Sequence, residues 1–251
     1  MAVAVVVAYH LGRLDGGFLG VDVFFVISGF LITRLLRAER DRTGVVALGS
    51  FWLRRFKRLL PALLVVLVAV AVASKAWLPA WRLGDVRLDS LGAMFYVANW
   101  RFIFDGQSYF STGVGPSPLR HTWSLAIEEQ FYLVWPLVVV GLGALARGSL
   151  RRAVGLVAAL GAVASALWMA AAATRGVDLS RLYFGTGARV FAILVGAWLA
   201  SWWDVRAHRL EDPTVLAARD RRWRLAAPVG AAVLVALFVV GTNDEGWVYR
   251  G

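Results

Sequence analysis

The sequence predicts an all-α fold, a polytopic transmembrane helical bundle. Three observations carry that expectation. Of the 251 residues 59% are hydrophobic and only 17% charged, apolar runs of bilayer-spanning length recur along the chain, and basic residues gather in short segments between those runs. A soluble domain of this length carries far more charge.

A bilayer core takes roughly 20 apolar residues as a helix. The opening run, residues 2–11, is too short to cross alone and lacks the basic start and small-residue cleavage site of a signal peptide. It reads as the second half of a truncated first helix. Six full spans follow, near residues 18–36, 59–79, 122–145, 153–174, 186–203 and 225–241. The segment 90–104, "SLGAMFYVANWRFIF", is short and contains Asn99, Trp100 and Arg101, so it is expected to be re-entrant or interfacial.

Charge distribution orients the spans. Segments 37–58, 146–152 and 204–224 hold sixteen Lys and Arg, whereas the alternating connections hold eight despite greater total length. The first group is therefore placed in the cytoplasm. This layout works only if 90–104 does not cross. The net charge of +11 is then a topology signal, and nucleic-acid binding is not expected, since no soluble basic face is left to meet phosphates. With no Cys in the chain, disulfides, thiol catalysis and thiolate-held metal are excluded, and no metal site is expected.

Ionisable groups inside spans are costly and each is by default a site hypothesis. Here they are His10, Asp22, Glu128, Glu129 and Arg189. His121, Ser124 and Glu128 fall at i, i+3 and i+7 and share one helical stripe, while Glu129 is turned about 100° away. Glu128 is the better inward candidate, and Glu129 is free to pair with Arg189 or to fix helix packing. His121 fits either a helix cap or a functional imidazole. Asp22 suits the first turn of a helix, where a carboxylate meets the positive end of the helix dipole. His10, at the end of an apolar helix, suits a proton acceptor for an attacking hydroxyl. In "FWLRRFKRLLPA", Arg55 and Arg58 lie at i and i+3, spaced to hold a phosphorylated ligand from the cytoplasm. A bland anchoring to anionic membrane lipid explains the same cluster.

Five stretches together resemble the membrane-bound acyltransferase-3 family, which O-acylates cell-surface glycans and related acceptors. They are "VVAYH" at 6–10, "GVDVFFVISGFLIT" at 20–33, "FWLRRFKRLLPA" at 51–62, "SPLRHTWSLAIEEQFYLVWP" at 117–136 and "YFGTGARVFAILVGAWLA" at 183–200. The resemblance implies acyl transfer, acetyl foremost, from cytoplasmic acyl-CoA as co-substrate to a hydroxyl of a glycan or glycoside, in a bacterial inner membrane and without a bound cofactor. It maps the family's essential histidine onto His10, its motif glutamate onto Glu128 and its donor-associated arginine pair onto Arg55 and Arg58. His121 joins the catalytic candidates, and Asp22, Ser28, Ser124, Glu129 and Arg189 the supporting ones.

The chain also departs from the family pattern. The arginine usually found eleven residues before the histidine would precede Met1, and fewer spans are present than the family's usual ten or so. A domain incomplete at the N-terminus, and at the C-terminus too, is expected. Ala192 stands where many members carry an acidic residue, which leaves Glu129 as the suggested partner of Arg189. Two other readings stay open: a transporter or flippase-like protein with Asp22, Glu128 and His121 as a polar pathway, and an inactive remnant of the enzyme.

Overall fold

Every regular element among the described residues is helical. The computed structural model describes residues 2–106, 115–145 and 149–202, with 228, 230–234 and 236, and of Ala2, Val3, His10 and Asp15 only the backbone. In order the helices are α1 (Ala2–His10), α2 (Gly20–Thr43), α3 (Leu48–Trp77), α4 (Leu83–Met94), α5 (Ala98–Phe104), α6 (Thr122–Leu145), α7 (Leu150–Thr174), α8 (Leu179–Phe184) and α9 (Thr186–Trp202). Short 3₁₀ turns at Asp15–Leu19 and Ala80–Arg82 lead into α2 and α4.

Four stretches are long and apolar enough to cross a bilayer, Gly16–Thr43, Leu48–Trp77, Thr122–Leu145 and Leu150–Thr174. The fifth expected span is the 17-residue α9. Of the sixth, 225–241, most lies outside the described residues. Both α2 and α3 run past their apolar spans into the basic segment between them. Gly44 stops α2 by taking a left-handed φ of 81° and donating its N–H to the Arg40 carbonyl at 2.7 Å.

The segment 90–104 is broken in the middle. Tyr96 adopts φ 55°, a conformation usually left to glycine at a helix end, and the Val97 N–H closes back on the Gly92 carbonyl at 2.8 Å. The result is two helices of 12 and 7 residues, α4 and α5, neither long enough to span.

Side-chain pairings fix the direction of each helix. Along α2 and α6, Ser28 meets Tyr132, Trp135 Nε1 donates to Thr33 Oγ1 at 2.8 Å, and Arg40 donates to the Gly143 carbonyl at 2.7 Å. Both numbers rise together, so these helices are parallel. Along α2 and α9, Asp22 meets Arg189, Gly29 meets Ile193, and Arg37 donates to the Ala200 carbonyl at 2.7 Å, again parallel. By the same reasoning α3 is antiparallel to α6, since Trp52 reaches the Tyr132 carbonyl and Arg55 reaches Glu129. Likewise α7 is antiparallel to α9, with Ser165 on Gly187 and Gly155 on Ser201.

A topological consequence follows. The C-terminal ends of α2, α6 and α9 share one end of the bundle, the end at which the basic segment 37–58 leaves α2 and enters α3. The connection 78–121 starts and finishes at the other end, so α4 and α5 do not cross, in agreement with the charge rule.

The tightest packing lies between α2 and α9. A Cβ on Gly29 would land on the Ile193 carbonyl, and one on Gly196 on the Val26 carbonyl. Only glycine lets the two backbones approach this closely. Toward the N-terminal ends of α2 and α6 sits an aromatic cluster in which Trp123 touches Tyr183 at 4.7 Å and Phe184 at 5.7 Å, with Phe25 edge-on at 6.0 Å. By contrast α3 turns Val65, Val68 and Val72 outward, as a helix facing lipid does.

Candidate active site

The first buried charge to account for is Arg189. It is 3% exposed and sits on the face of α9 that packs against α2. Its Nη1 donates to both carboxylate oxygens of Asp22, at 3.2 and 3.1 Å, its Nε donates to the Tyr183 carbonyl at 3.3 Å, and its guanidinium lies 4.3 Å from the Tyr183 ring centre. The expected pairing of Arg189 with Glu129 is thus corrected. Asp22, in the first turn of α2, is the partner, because close glycine packing brings α2 and not α6 against that face.

Removing one member of such a pair strands a charge in low dielectric. Asp22→Asn or Arg189→Met alone is expected to destabilise by about 3 kcal/mol, while Asp22→Asn with Arg189→Met recovers part of the loss. Thermal unfolding of the detergent-solubilised protein reads this. Additive losses in the double variant would show that the pair is not coupled.

Glu128 and Glu129 diverge as the helical rotation predicts. Glu128 lies toward Ser28 of α2, whose hydroxyl meets the Tyr132 phenol. Glu129 faces α3, where Arg55 Nε stands 3.9 Å from its Oε1. The Arg55 guanidinium also lies over the Tyr132 ring, 3.7 Å from its centre. One arginine from the basic segment thus reaches Glu129 of α6.

Two cavities meet at Arg55. The first, about 490 Å³, is bordered by Glu39, Arg42, Phe51, Arg54, Arg55 and Arg58 at the arginine-rich end of the bundle. Its charge suits a phosphorylated group. The second, about 220 Å³, lies between α3, the α4–α5 elbow and α6, with Arg55, Tyr96, Glu129 and Gln130 at its polar side and Trp52, Phe56, Phe95, Val97 and Leu133 as apolar walls. Arg55 Nε, Tyr96 Oη and Glu129 Oε1 border this second cavity, are buried, and have no hydrogen-bond partner in the protein.

Gln130 was not singled out by sequence reasoning, yet it organises this region. Its amide donates to the Tyr96 carbonyl at 2.9 Å and to Asn99 Oδ1 at 3.0 Å, and accepts from Thr186 Oγ1 at 2.7 Å. Asn99, fully buried, donates in turn to the Phe184 carbonyl and Thr186 Oγ1. The network holds the left-handed elbow of Tyr96 against α6 and α9. A glutamine amid apolar residues was the available signal, but its uncharged side chain did not enter a search for ionisable groups.

The histidines fall elsewhere. His121 is exposed in the turn before α6, its carbonyl accepting from Ser124 Oγ at 3.4 Å, so it stands at the mouth of the stripe that leads down to Glu128. His10 ends α1, and its side chain lies outside the described residues. Arg58 borders the basic cavity but not the second one. Among the described residues no cluster of His, Asp and Glu is placed to hold a metal ion.

Comparison with known proteins bears on what such a site does. A family model described as an acyltransferase domain matches residues 1–250. The peptidoglycan O-acetyltransferase OatA of Listeria monocytogenes is 45% identical over 257 residues, covering 100% of this chain and 40% of that protein. The O-acetyltransferase OatA of Staphylococcus aureus strain NCTC 8325 is 38% identical over 253 residues, covering 100% of this chain and 40% of its own length. The chain spans about two fifths of the length of these curated relatives. No solved structure matches it.

Proposed function

The chain belongs to the acyltransferase-3 family, and from that premise we propose that it is a membrane O-acetyltransferase of a bacterial inner membrane, taking an acetyl group from cytoplasmic acyl-CoA to a hydroxyl of a glycan or glycoside. The observation that carries the reading is the position of Arg55, which borders a cavity rich in arginine on one side and reaches Glu129 on the other. A donor with phosphates at Arg54, Arg55 and Arg58 has its flexible arm directed toward the glutamate pair. That arrangement eases the difficulty of a donor held at one face and an acceptor arriving at the other.

In the reaction the acceptor oxygen attacks the thioester carbonyl carbon, an O–C bond forms, the C–S bond breaks and the thiolate leaves as coenzyme A. His10 takes the proton of the attacking hydroxyl. Glu128, on the α2 side of α6, balances the positive charge that develops on the imidazole, with His121 at the entrance for the acceptor. Glu129 keeps the Arg55 guanidinium at the junction of the two cavities. Relatives named O-acetyltransferases support acetyl as the group moved, and the peptidoglycan named for one of them supports a glycan acceptor.

The test is mass spectrometry of surface glycans and added glycosides in cells with and without the gene. The expected result is the added mass of acetyl on a hydroxyl, lost in His10→Ala at equal membrane abundance. Unchanged acetylation in that variant would remove the role given to His10, and identical glycans with and without the gene would sink the acceptor assignment.

A further inference from the structure

We propose that the cavity between α3, the α4–α5 elbow and α6 seats the pantetheine arm and acyl chain of the donor on the Glu129 side of α6 and lets the protein accept acyl groups longer than acetyl. The inference rests on the acyl-CoA reading above and goes beyond it. Three features of the cavity select this occupant.

Arg55 is shared with the basic cavity, so a molecule whose phosphates occupy the arginines has its tail beside this opening. Next, Arg55 Nε, Tyr96 Oη and Glu129 Oε1, all buried and without a hydrogen bond, supply two donors and an acceptor on one side, although the first and last already face each other as an ion pair at 3.9 Å. A buried polar group without a partner calls for one, and the amide of a pantetheine arm offers a carbonyl for the donors and an N–H for the carboxylate. Finally, the opposite walls, Phe56, Phe95, Val97 and Leu133, are apolar. An engineered apolar cavity of about 150 Å³ holds benzene, so one of about 220 Å³ exceeds the needs of a two-carbon group. A chain of about six carbons fits that volume by the same comparison.

The experiment measures kcat/KM for acetyl-CoA and hexanoyl-CoA with one glycoside acceptor, using membranes that contain the protein. Hexanoyl transfer by the wild type is expected to lie within about tenfold of acetyl transfer, a difference of about 1.4 kcal/mol in barrier. Leu133→Trp, which fills the cavity, should lower the hexanoyl-to-acetyl ratio at least tenfold, and Phe56→Ala should raise it. A wild type confined to acetyl, or a ratio unmoved by both variants, overturns the proposal.

A second measurement needs no active variant. Hexanoyl-CoA carrying a diazirine at its acyl end is photolysed on the wild-type protein, and the labelled peptides are identified. Label within residues 52–56, 95–97 or 129–133 that excess coenzyme A suppresses supports the assignment. Label elsewhere, or label that coenzyme A does not suppress because the probe has merely partitioned into lipid, overturns it. The two readings fail differently: absence of any coenzyme A binding removes the donor reading itself, whereas binding without label at these walls removes only the cavity assignment.

Discussion

Replacing Arg55 with alanine is expected to lower acyl transfer at least 100-fold, about 2.7 kcal/mol in barrier, while the protein still inserts in the membrane. Arg55 lies over the Tyr132 ring at 3.7 Å, stands 3.9 Å from Glu129 and borders both cavities. Its loss therefore removes the proposed donor contact and leaves Glu129 without its paired cation.

Arg55→Lys should recover little of this. An ammonium carries the charge but cannot stack as a plane on Tyr132 while offering several fixed N–H groups. Arg58→Ala supplies the contrast, because Arg58 borders the basic cavity alone. It should act mainly through KM for the donor, whereas Arg55→Ala should depress kcat as well. Steady-state kinetics on membranes with matched protein abundance separate the two. Wild-type kcat/KM in Arg55→Ala would defeat this assignment of Arg55.

The second large effect is on assembly. Gly29→Leu is expected to prevent stable folding, since even the first added carbon falls on the Ile193 carbonyl and the seam between α2 and α9 cannot open without displacing the Asp22–Arg189 pair. Overpacking a well-filled interior costs about 1–3 kcal/mol, and here the obstacle is backbone, which yields less than a side chain. Gly141→Leu on α6 is the control, because nothing lies within 4 Å of its added carbon. Size-exclusion profiles of solubilised protein should show Gly29→Leu aggregated and Gly141→Leu monodisperse. Two monodisperse profiles would mean the seam tolerates separation.

Hydropathy and charge made most of the fold readable. Within the described residues, spans 122–145 and 186–203 match α6 and α9 to within a residue. The ends of α2 and α3 were underestimated. Helices continue into water as long as arginines and glutamates propagate them, so Arg37 to Thr43 and Leu48 to Arg58 are helical without being apolar. The same charge pattern anticipated that 90–104 would not cross.

The site was only partly readable. Helical periodicity separated Glu128 from Glu129, but could not say which neighbour each would meet. That depends on interhelical contacts, and above all on Gly29 and Gly196, whose lack of side chain sets α2 against α9 and so gives Arg189 to Asp22. The spacing of Arg55 to Arg58 is legible in the sequence, whereas its reach to Glu129 follows from the antiparallel entry of α3 beside α6. Gln130 and Asn99 carry no charge, and their network joins residues 31 to 87 positions apart, beyond any local pattern.

The parallel run of α2, α6 and α9 has an electrical consequence. Peptide dipoles in neighbouring antiparallel helices largely cancel, and α3 and α7 offset part of the field, but each of the three aligned helices still carries about half a negative charge at its carbonyl end. Those ends meet on the side where Arg37 donates to the Ala200 carbonyl and Arg40 to the Gly143 carbonyl. Two guanidiniums of α2 therefore neutralise the termini of two other helices. The arginines that orient the chain during insertion also hold its macrodipoles together once it is assembled, so a single substitution such as Arg40→Ala would weaken both.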